Sequence, residues 1–308
     1  MQKLVILLGP TAVGKTERSL TMAEQMGSPI LSCDSRQIYR DLPICTAAPT
    51  AEERQRVPHH FVGTHGLEDP YSAARFERDV LAMLAAHPDQ DFLMTGGSMM
   101  YIDAVVKGID DIPDADPAIR MQLRQQFEQE GLAPLLSQLE LLDPLYAERV
   151  DRRNPQRVIH GLEMCLTTGR PFSSFHTGKS KPRPFQIEQI GLRRDRETLY
   201  RRIDQRVEQM FAAGIEEETY RVYERYRETI DQQLAHVVRN PGPTQAQPIP
   251  NLLPVALNTV GLKEMLLYFA GIYTKERAKE RICHNSHIYS KKQMTWFSKN
   301  PDIRWIDL

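Results

Sequence analysis

Residues 9 to 16 read Gly9-Pro10-Thr11-Ala12-Val13-Gly14-Lys15-Thr16, directly after the apolar run Leu4-Val5-Ile6-Leu7-Leu8. A glycine-rich loop between a buried strand and a helix is a phosphate cradle. Gly9 and Gly14 let the backbone curl so that successive N–H groups point inward, and the helix that starts at Lys15 adds positive potential at its N-terminus. Lys15 would reach the outermost phosphates and the Thr16 hydroxyl would hold Mg²⁺. The motif names a diphosphate-bearing ligand and leaves the reaction open. Its bland reading is a chance glycine turn.

Asp34 ends a second apolar run, residues 29–33, and opens Asp34-Ser35-Arg36-Gln37. A carboxylate beside a phosphate site can accept a proton from a nucleophile or reach Mg²⁺ through water. An Asp-Ser pair can equally do no more than form a turn. Gly96-Gly97-Ser98 closes a third apolar run and offers either a tight turn with a helix cap or backbone N–H groups and a hydroxyl for a substrate. Arg202 and Arg206 stand one helical turn apart, as a clamp on phosphate oxygens or as a solvated face. His59-His60 side chains splay apart in an extended chain, so a metal is not expected there. Trp296-Phe297 could stack on a base or pack in the core.

These residues must be held by alternating strands and helices. The first hundred residues predict strands at 4–8, 29–33 and 92–95, with helices at 15–26, at about 72–86 and from Ser98. Such alternation implies a P-loop-type parallel sheet flanked by helices, with function at the carboxyl ends of its strands. From Asp110 the chain turns acidic and proline-broken, then helical to about Thr168, then basic at 177–184. The expected organisation is an α/β core, residues 1–111 and 185–308, with a helical insertion over 112–184. The α/β pattern resumes at 186–192, and a helix at 195–213 carries Leu199, Ile203, Val207 and Phe211 on one stripe. Residues 239–254, with five prolines, read as a surface loop, and a last helix is expected over 274–298.

The bulk composition narrows the class. Hydrophobic content of 41% with 26% charged residues fits a soluble globular protein, and no apolar run is long enough to span a membrane. The start lacks the features of a secretory signal, and the four cysteines show no ligand spacing, so a reduced cytoplasm is expected. A net charge of −1 argues against a generally basic nucleic-acid protein, but basic clusters at 149–157, 193–206 and 275–299 leave room for a folded RNA.

Taken in order, these blocks resemble the tRNA dimethylallyltransferases, which prenylate adenosine 37 beside the anticodon. The resemblance rests on residues 9–16, on Asp34 to Arg40, on Thr46-Ala47-Ala48-Pro49, on Pro58-His59-His60 and on Gly96-Gly97-Ser98 with Tyr101. It continues through Asn154 to His160 with Glu163, Gly191-Leu192 with Asp195-Arg196, Gly261 with Lys263-Glu264, and Tyr289 to Trp296. It implies dimethylallyl diphosphate as donor, its pyrophosphate received by residues 9–16 with Mg²⁺ and Arg202 or Arg206. Lys15, Thr16 and Asp34 would then be catalytic, Asp34 taking the proton from the adenine amine. The anticodon stem-loop would be touched by Asp34, Ser35, Arg36, Gln37, Ser98, Arg120, Gln156, Arg157, Val158, Ile159 and His160. Lys292 and Gln293 of the C-terminal block would also serve the RNA. A monomer is expected.

Three positions depart from the family pattern. His287 follows Ser286 where arginine is usual, Cys45 replaces a glycine, and Leu262 replaces a tyrosine. Three other readings compete. An adenylate isopentenyltransferase would share the cradle, Asp34 and the arginines but lack the insertion and the Lys292–Trp296 block. A P-loop kinase would hydrolyse or transfer from ATP. An RNA-binding protein without catalysis would not need Lys15 or Asp34.

Overall fold

The computed structural model describes residues 1–113, 115–239, 252 and 254–308. Its first unit comprises residues 1–106 and 183–308. The run Leu4–Leu8 is at most 5% exposed throughout, without alternation, because helices cover both faces of the sheet. It forms β1 (Lys3–Leu8), followed by α1 (Lys15–Met26), β2 (Ile30–Ser32), α2 (Ala51–Arg56), β3 (His59–His60), α3 (Ala73–Ala86), β4 (Phe92–Gly96) and α4 (Met99–Lys107).

Between α4 and the next strand lies the second unit, residues 107–182, with α5 (Pro117–Glu130), α6 (Leu132–Leu142), α7 (Pro144–Arg149) and α8 (Pro155–Thr168). The first unit resumes with β5 (Gln186–Arg193), α9 (Arg196–Ala212), α10 (Ile215–Arg239), α11 (Leu262–Phe269), α12 (Lys275–Phe297) and β6 (Ile303–Asp307). All sheet pairings are parallel, in the order β3-β2-β4-β1-β5-β6. The carboxyl ends of β1, β2, β4 and β5 thus bring the 9–16 loop, Asp34, Gly97-Ser98 and Arg194 to one edge.

Five elements are not expected from the sequence: β3, β6, α10 and the short helices α2 and α11. β3 has two residues and β6 mixes apolar with charged positions, so neither shows a strand period. α10 is polar on most of its surface, and its buried Val222, Tyr223, Ile230 and Leu234 meet α11 and the Ile38–Cys45 segment. The proline-rich stretch 239–254 lies almost wholly outside the described residues.

The helical unit starts at 107 and ends at 182, wider at its start and narrower at its end than the expected 112–184. The acidic and basic stretches at its two ends bind each other. Lys181 N–H donates to Lys107 O at 2.7 Å, Lys181 Nζ pairs with Asp111 at 2.7 Å, and Thr177 Oγ1 donates to Asp110 at 2.5 Å. Within this unit α5, α7 and α8 each begin with proline after a capping Asp116, Asp143 or Asn154, whose side chain accepts a backbone N–H of the first turn. Leu123, Leu135, Leu139, Val158, Leu162 and Phe172 form its core.

Arg183 belongs to the sheet unit. Its guanidinium, 8% exposed, meets Glu77 at 2.6 Å and donates to the carbonyls of Ala104 and Val105. Glu77→Gln would keep an acceptor but strip the buried cation of its counter-charge, a loss of about 1–3 kcal/mol that a urea melt of the full chain would read. An unchanged midpoint would mean that the two carbonyls alone satisfy Arg183.

Candidate active site

The 9–16 loop curls because three of its residues have positive φ, Gly9 at +151° among them. Gly14 has φ +114° and Ala12 φ +62°. The first suits glycine, and the second is a local strain. Cationic side chains bind the carbonyls of the loop. Lys15 Nζ donates to Gly9 O at 2.9 Å and Pro10 O at 2.8 Å, Arg194 Nε to Val13 O at 2.9 Å, and Arg202 Nε to Ala12 O at 2.8 Å. Thr11 N–H in turn donates to Gln293 Oε1 at 2.9 Å, and Val13 N–H to Pro10 O at 3.4 Å.

Asp34 follows β2, its Oδ1 accepting the N–H groups of Arg36 at 2.9 Å and Gln37 at 3.4 Å. The turn-forming and the functional reading of Asp34 are therefore compatible, since Oδ2 takes no part in the turn. Ser98 Oγ accepts Ser35 N–H at 2.8 Å, fastening the β4 turn to the β2 turn. Arg206 Nη2 donates to Thr46 O at 3.1 Å.

Two cavities open on these groups. One, of about 450 Å³, is polar and lined by Lys15, Thr16, Asp34, Arg202, Arg206 and Gln293. The other, of about 290 Å³, has an apolar wall of Ile203, Val207, Met210, Val260 and Ile282. Thr11, Asp34, Arg206 and Tyr289 line both. A charged ligand and an apolar one can thus meet at Asp34.

The electrostatics follow from burial. Desolvation, with Arg206 adding repulsion, pulls the Lys15 ammonium down to about 8. Desolvation also lowers the Arg206 guanidinium. Burial and the nearby Asp34 push the Tyr289 phenol up to about 12 and the Cys33 thiol well above its ordinary value, which leaves Cys33 without nucleophilic character. An anion in the cradle favours charged Lys15. Pyrophosphate affinity should therefore fall as pH rises through about 8, and binding above that pH should take up a proton. Calorimetry in buffers of different ionisation enthalpy checks this; a Lys15→Arg variant that showed the same proton uptake would assign it elsewhere.

Several residues expected to touch RNA are otherwise engaged. Gln293 is 1% exposed, with both amide atoms bonded inside the protein. Val158 is fully buried in the helical core, since it lies on the inner face of α8. The Gln37 amide is spent on Ser32, Thr46 and Ala47. Arg120 forks onto the buried Glu163 at 2.5 and 3.2 Å, and His160 Nδ1 lies 3.2 Å from the same carboxylate. Gln156, Arg157 and Lys292 are exposed, Ile159 is half-buried, and Ser35 and Arg36 line the smaller cavity. Thr16 and Arg202 are exposed at the rim of the larger one. Trp296 is 40% exposed and donates to Asp103, while Phe297 packs in the core. His59 Nδ1 lies 2.8 Å from Val57 O as part of β3.

The departures from the family pattern fall outside the loop. His287 stacks on Tyr200 at 4.1 Å with its Nε2 2.9 Å from Asp204. Leu262 is fully buried, and Cys45 lines the smaller cavity with its thiol donating to Val260 O. Arg194 and Tyr289 do not stand out in the sequence as site residues. Arg194 follows β5 at the carboxyl edge, which is itself a signal.

Comparison with known proteins bears on this site. The family model described as IPP transferase matches residues 37–300. tRNA dimethylallyltransferase 2 of Porphyromonas gingivalis is 53% identical over 304 residues, 98% of this chain and 93% of its own. tRNA dimethylallyltransferase 2 of Parabacteroides distasonis is 52% identical over 99% of this chain and 94% of its own. The crystal structure of the full-length tRNA isopentenylpyrophosphate transferase of Bacillus halodurans matches with a TM-score of 0.65 at 30% identity, over 100% of this chain and 90% of that one. A eukaryotic dimethylallyltransferase acting on tRNA matches with a TM-score of 0.79, covering 100% of this chain and 74% of that one; at 23% identity it supports the fold.

Proposed function

The chain belongs to the IPP transferase family of tRNA dimethylallyltransferases, and we propose that it joins a dimethylallyl group to the N6 amine of adenosine 37 in tRNA. It is a tRNA-modifying prenyltransferase, and the donor proposed is dimethylallyl diphosphate. The observation that carries the reading is the junction of a polar and a half-apolar cavity at Thr11, Asp34, Arg206 and Tyr289.

The chemistry follows from that junction. The diphosphate lies in the cradle, and the five-carbon chain extends toward Ile203, Val207 and Met210. Adenine, taken out of the anticodon loop at the cost of a few kcal/mol of unstacking, presents its amine to the allylic carbon. The amine lone pair forms the new C–N bond as the C–O bond to pyrophosphate breaks. The nitrogen, now positively charged, releases its proton to Asp34. Lys15 and Arg206 receive the charge that develops on the leaving oxygen, in a site where burial strengthens that attraction.

The residues fit Mg²⁺, which keeps most of its waters and takes one or two protein oxygens beside substrate phosphates. Thr16 would supply its hydroxyl and Asp34 a carboxylate through water, and the ion would neutralise diphosphate charge. Exposed Gln156 and Arg157 on α8 suit contact with the stem-loop backbone. Among the described residues no helix is long and apolar enough to cross a membrane. A monomer acting in the cytoplasm completes the reading.

The test offers labelled dimethylallyl diphosphate with Mg²⁺ to unmodified tRNA and to AMP in parallel. Label is expected in tRNA alone. Label in AMP would move the acceptor to free nucleotides, and label in neither would refute prenyl transfer.

A further inference from the structure

Gln293 of α12 is among the most buried polar side chains of the chain, at 1% exposure. Its Oε1 accepts the Thr11 N–H at 2.9 Å, and its Nε2 donates to Gly97 O at 2.8 Å. The orientation of the amide is dictated by its partners, because a backbone N–H can only donate and a carbonyl can only accept. Thr11 is the third residue of the phosphate cradle. Gly97 precedes Ser98, whose hydroxyl holds Ser35 N–H beside Asp34. One side chain therefore joins the leaving-group site to the β4 turn, which Ser98 in turn fastens to the turn carrying the proton acceptor. Gly97 leaves it room, since a Cβ there would collide with the Gln293 amide.

The rest of this helix face looks onto the same space. Ile282, Ser286 and Tyr289 line the smaller cavity, Tyr289 and Gln293 the larger. Their spacing of four, three and four residues keeps all four on one stripe. Tyr289 OH also donates to Gly97 O, at 3.4 Å.

We infer that Gln293 is a positioning residue for this reaction: it fixes the Thr11 peptide of the cradle against Gly97, so that the diphosphate is held in register with Asp34. The inference rests on the reading of the cradle as the diphosphate site. It replaces RNA contact as the role of this residue.

The experiment uses the full chain and two variants, Gln293→Leu and Gln293→Glu, with inorganic pyrophosphate and Mg²⁺ in a calorimeter and with steady-state prenyl transfer alongside. Leucine leaves the Thr11 N–H without its acceptor and Gly97 O with only the longer bond from Tyr289 OH. The pyrophosphate Kd and the donor KM should rise about 10–100-fold, with the tRNA KM within about twofold of wild type. Glutamate as a carboxylate can accept from Thr11 but cannot donate to Gly97; protonated, it can do both. The ratio of its pyrophosphate Kd to that of wild type should then shrink as pH is lowered toward the carboxyl range.

An unchanged pyrophosphate Kd in Gln293→Leu would overturn the inference, as would a loss confined to melting temperature and kcat. If the leucine variant fails to fold, the glutamate ratio decides, and a ratio flat with pH overturns it. Wild-type protein that binds pyrophosphate but transfers no label would refute the function proposed above, while the Kd comparison still decides the role of Gln293.

Discussion

Asp34→Ala is expected to lower kcat by about 10²–10⁴-fold with tRNA affinity nearly intact, the range usual for loss of a general base. The adenine amine is a weak nucleophile because its lone pair is delocalised into the ring. The bond-forming step therefore depends on a group ready to take the proton. Asp34 lines both cavities and its Oδ2 lies outside the local turn. Asp34→Asn sharpens the measurement, since an amide oxygen can still accept the N–H groups of Arg36 and Gln37 and preserve the turn. Both variants should fall together in single-turnover rate. Full activity in Asp34→Asn, or parallel loss of rate and tRNA binding in both, would reduce Asp34 to a structural turn residue.

Arg206→Ala should cost about 10²–10³-fold in kcat/KM for the diphosphate donor, whereas Arg202→Ala should stay within about tenfold. The two arginines look equivalent in sequence, one turn apart on α9. The structure separates them. Arg206 is half-buried at the junction of the cavities, its guanidinium desolvated and electrostatically coupled to Asp34. Arg202 is exposed, its Nε engaged with Ala12 O on the rim of the loop. A charge in a dry site acts on a developing anion with little screening; one in solvent does not. Equal losses, measured in initial rates across donor concentrations, would show instead that the two work as a symmetrical clamp.

Much of this site is legible in the sequence alone. The strand–loop–helix at 3–26 is encoded locally, by a run of five apolar residues and two glycines, and its position at a carboxyl edge of the sheet follows from the strand–helix alternation. The residues that mislead are those whose role depends on distant partners. Gln293 counts as an RNA contact only through the family resemblance of its block, and packing against Thr11, 282 residues away in sequence, turns it inward. Val158 sits in a polar motif, yet the face it occupies on α8 is set by where Leu135 and Leu139 come to lie. Met210 and Val207 carry the helical period of any core stripe, and nothing local distinguishes a core wall from a cavity wall. β3 and β6 escape notice because two residues and a mixed pattern carry no period; the neighbouring strands make them strands.

The contact between Thr11 and Gln293 also bears on synthesis. Chains emerge N-terminus first, so the loop at 9–16 leaves the ribosome long before α12 exists. Until that helix docks, the Thr11 N–H has no Gln293 and β5 has no β6 beside it. A nascent or prematurely terminated chain would thus carry the whole phosphate motif yet lack its brace, and prenyl donors would find no finished site to occupy. Activity would wait until α12 has been made and docked, so that messages broken before its codons yield inert polypeptide instead of half-working enzyme.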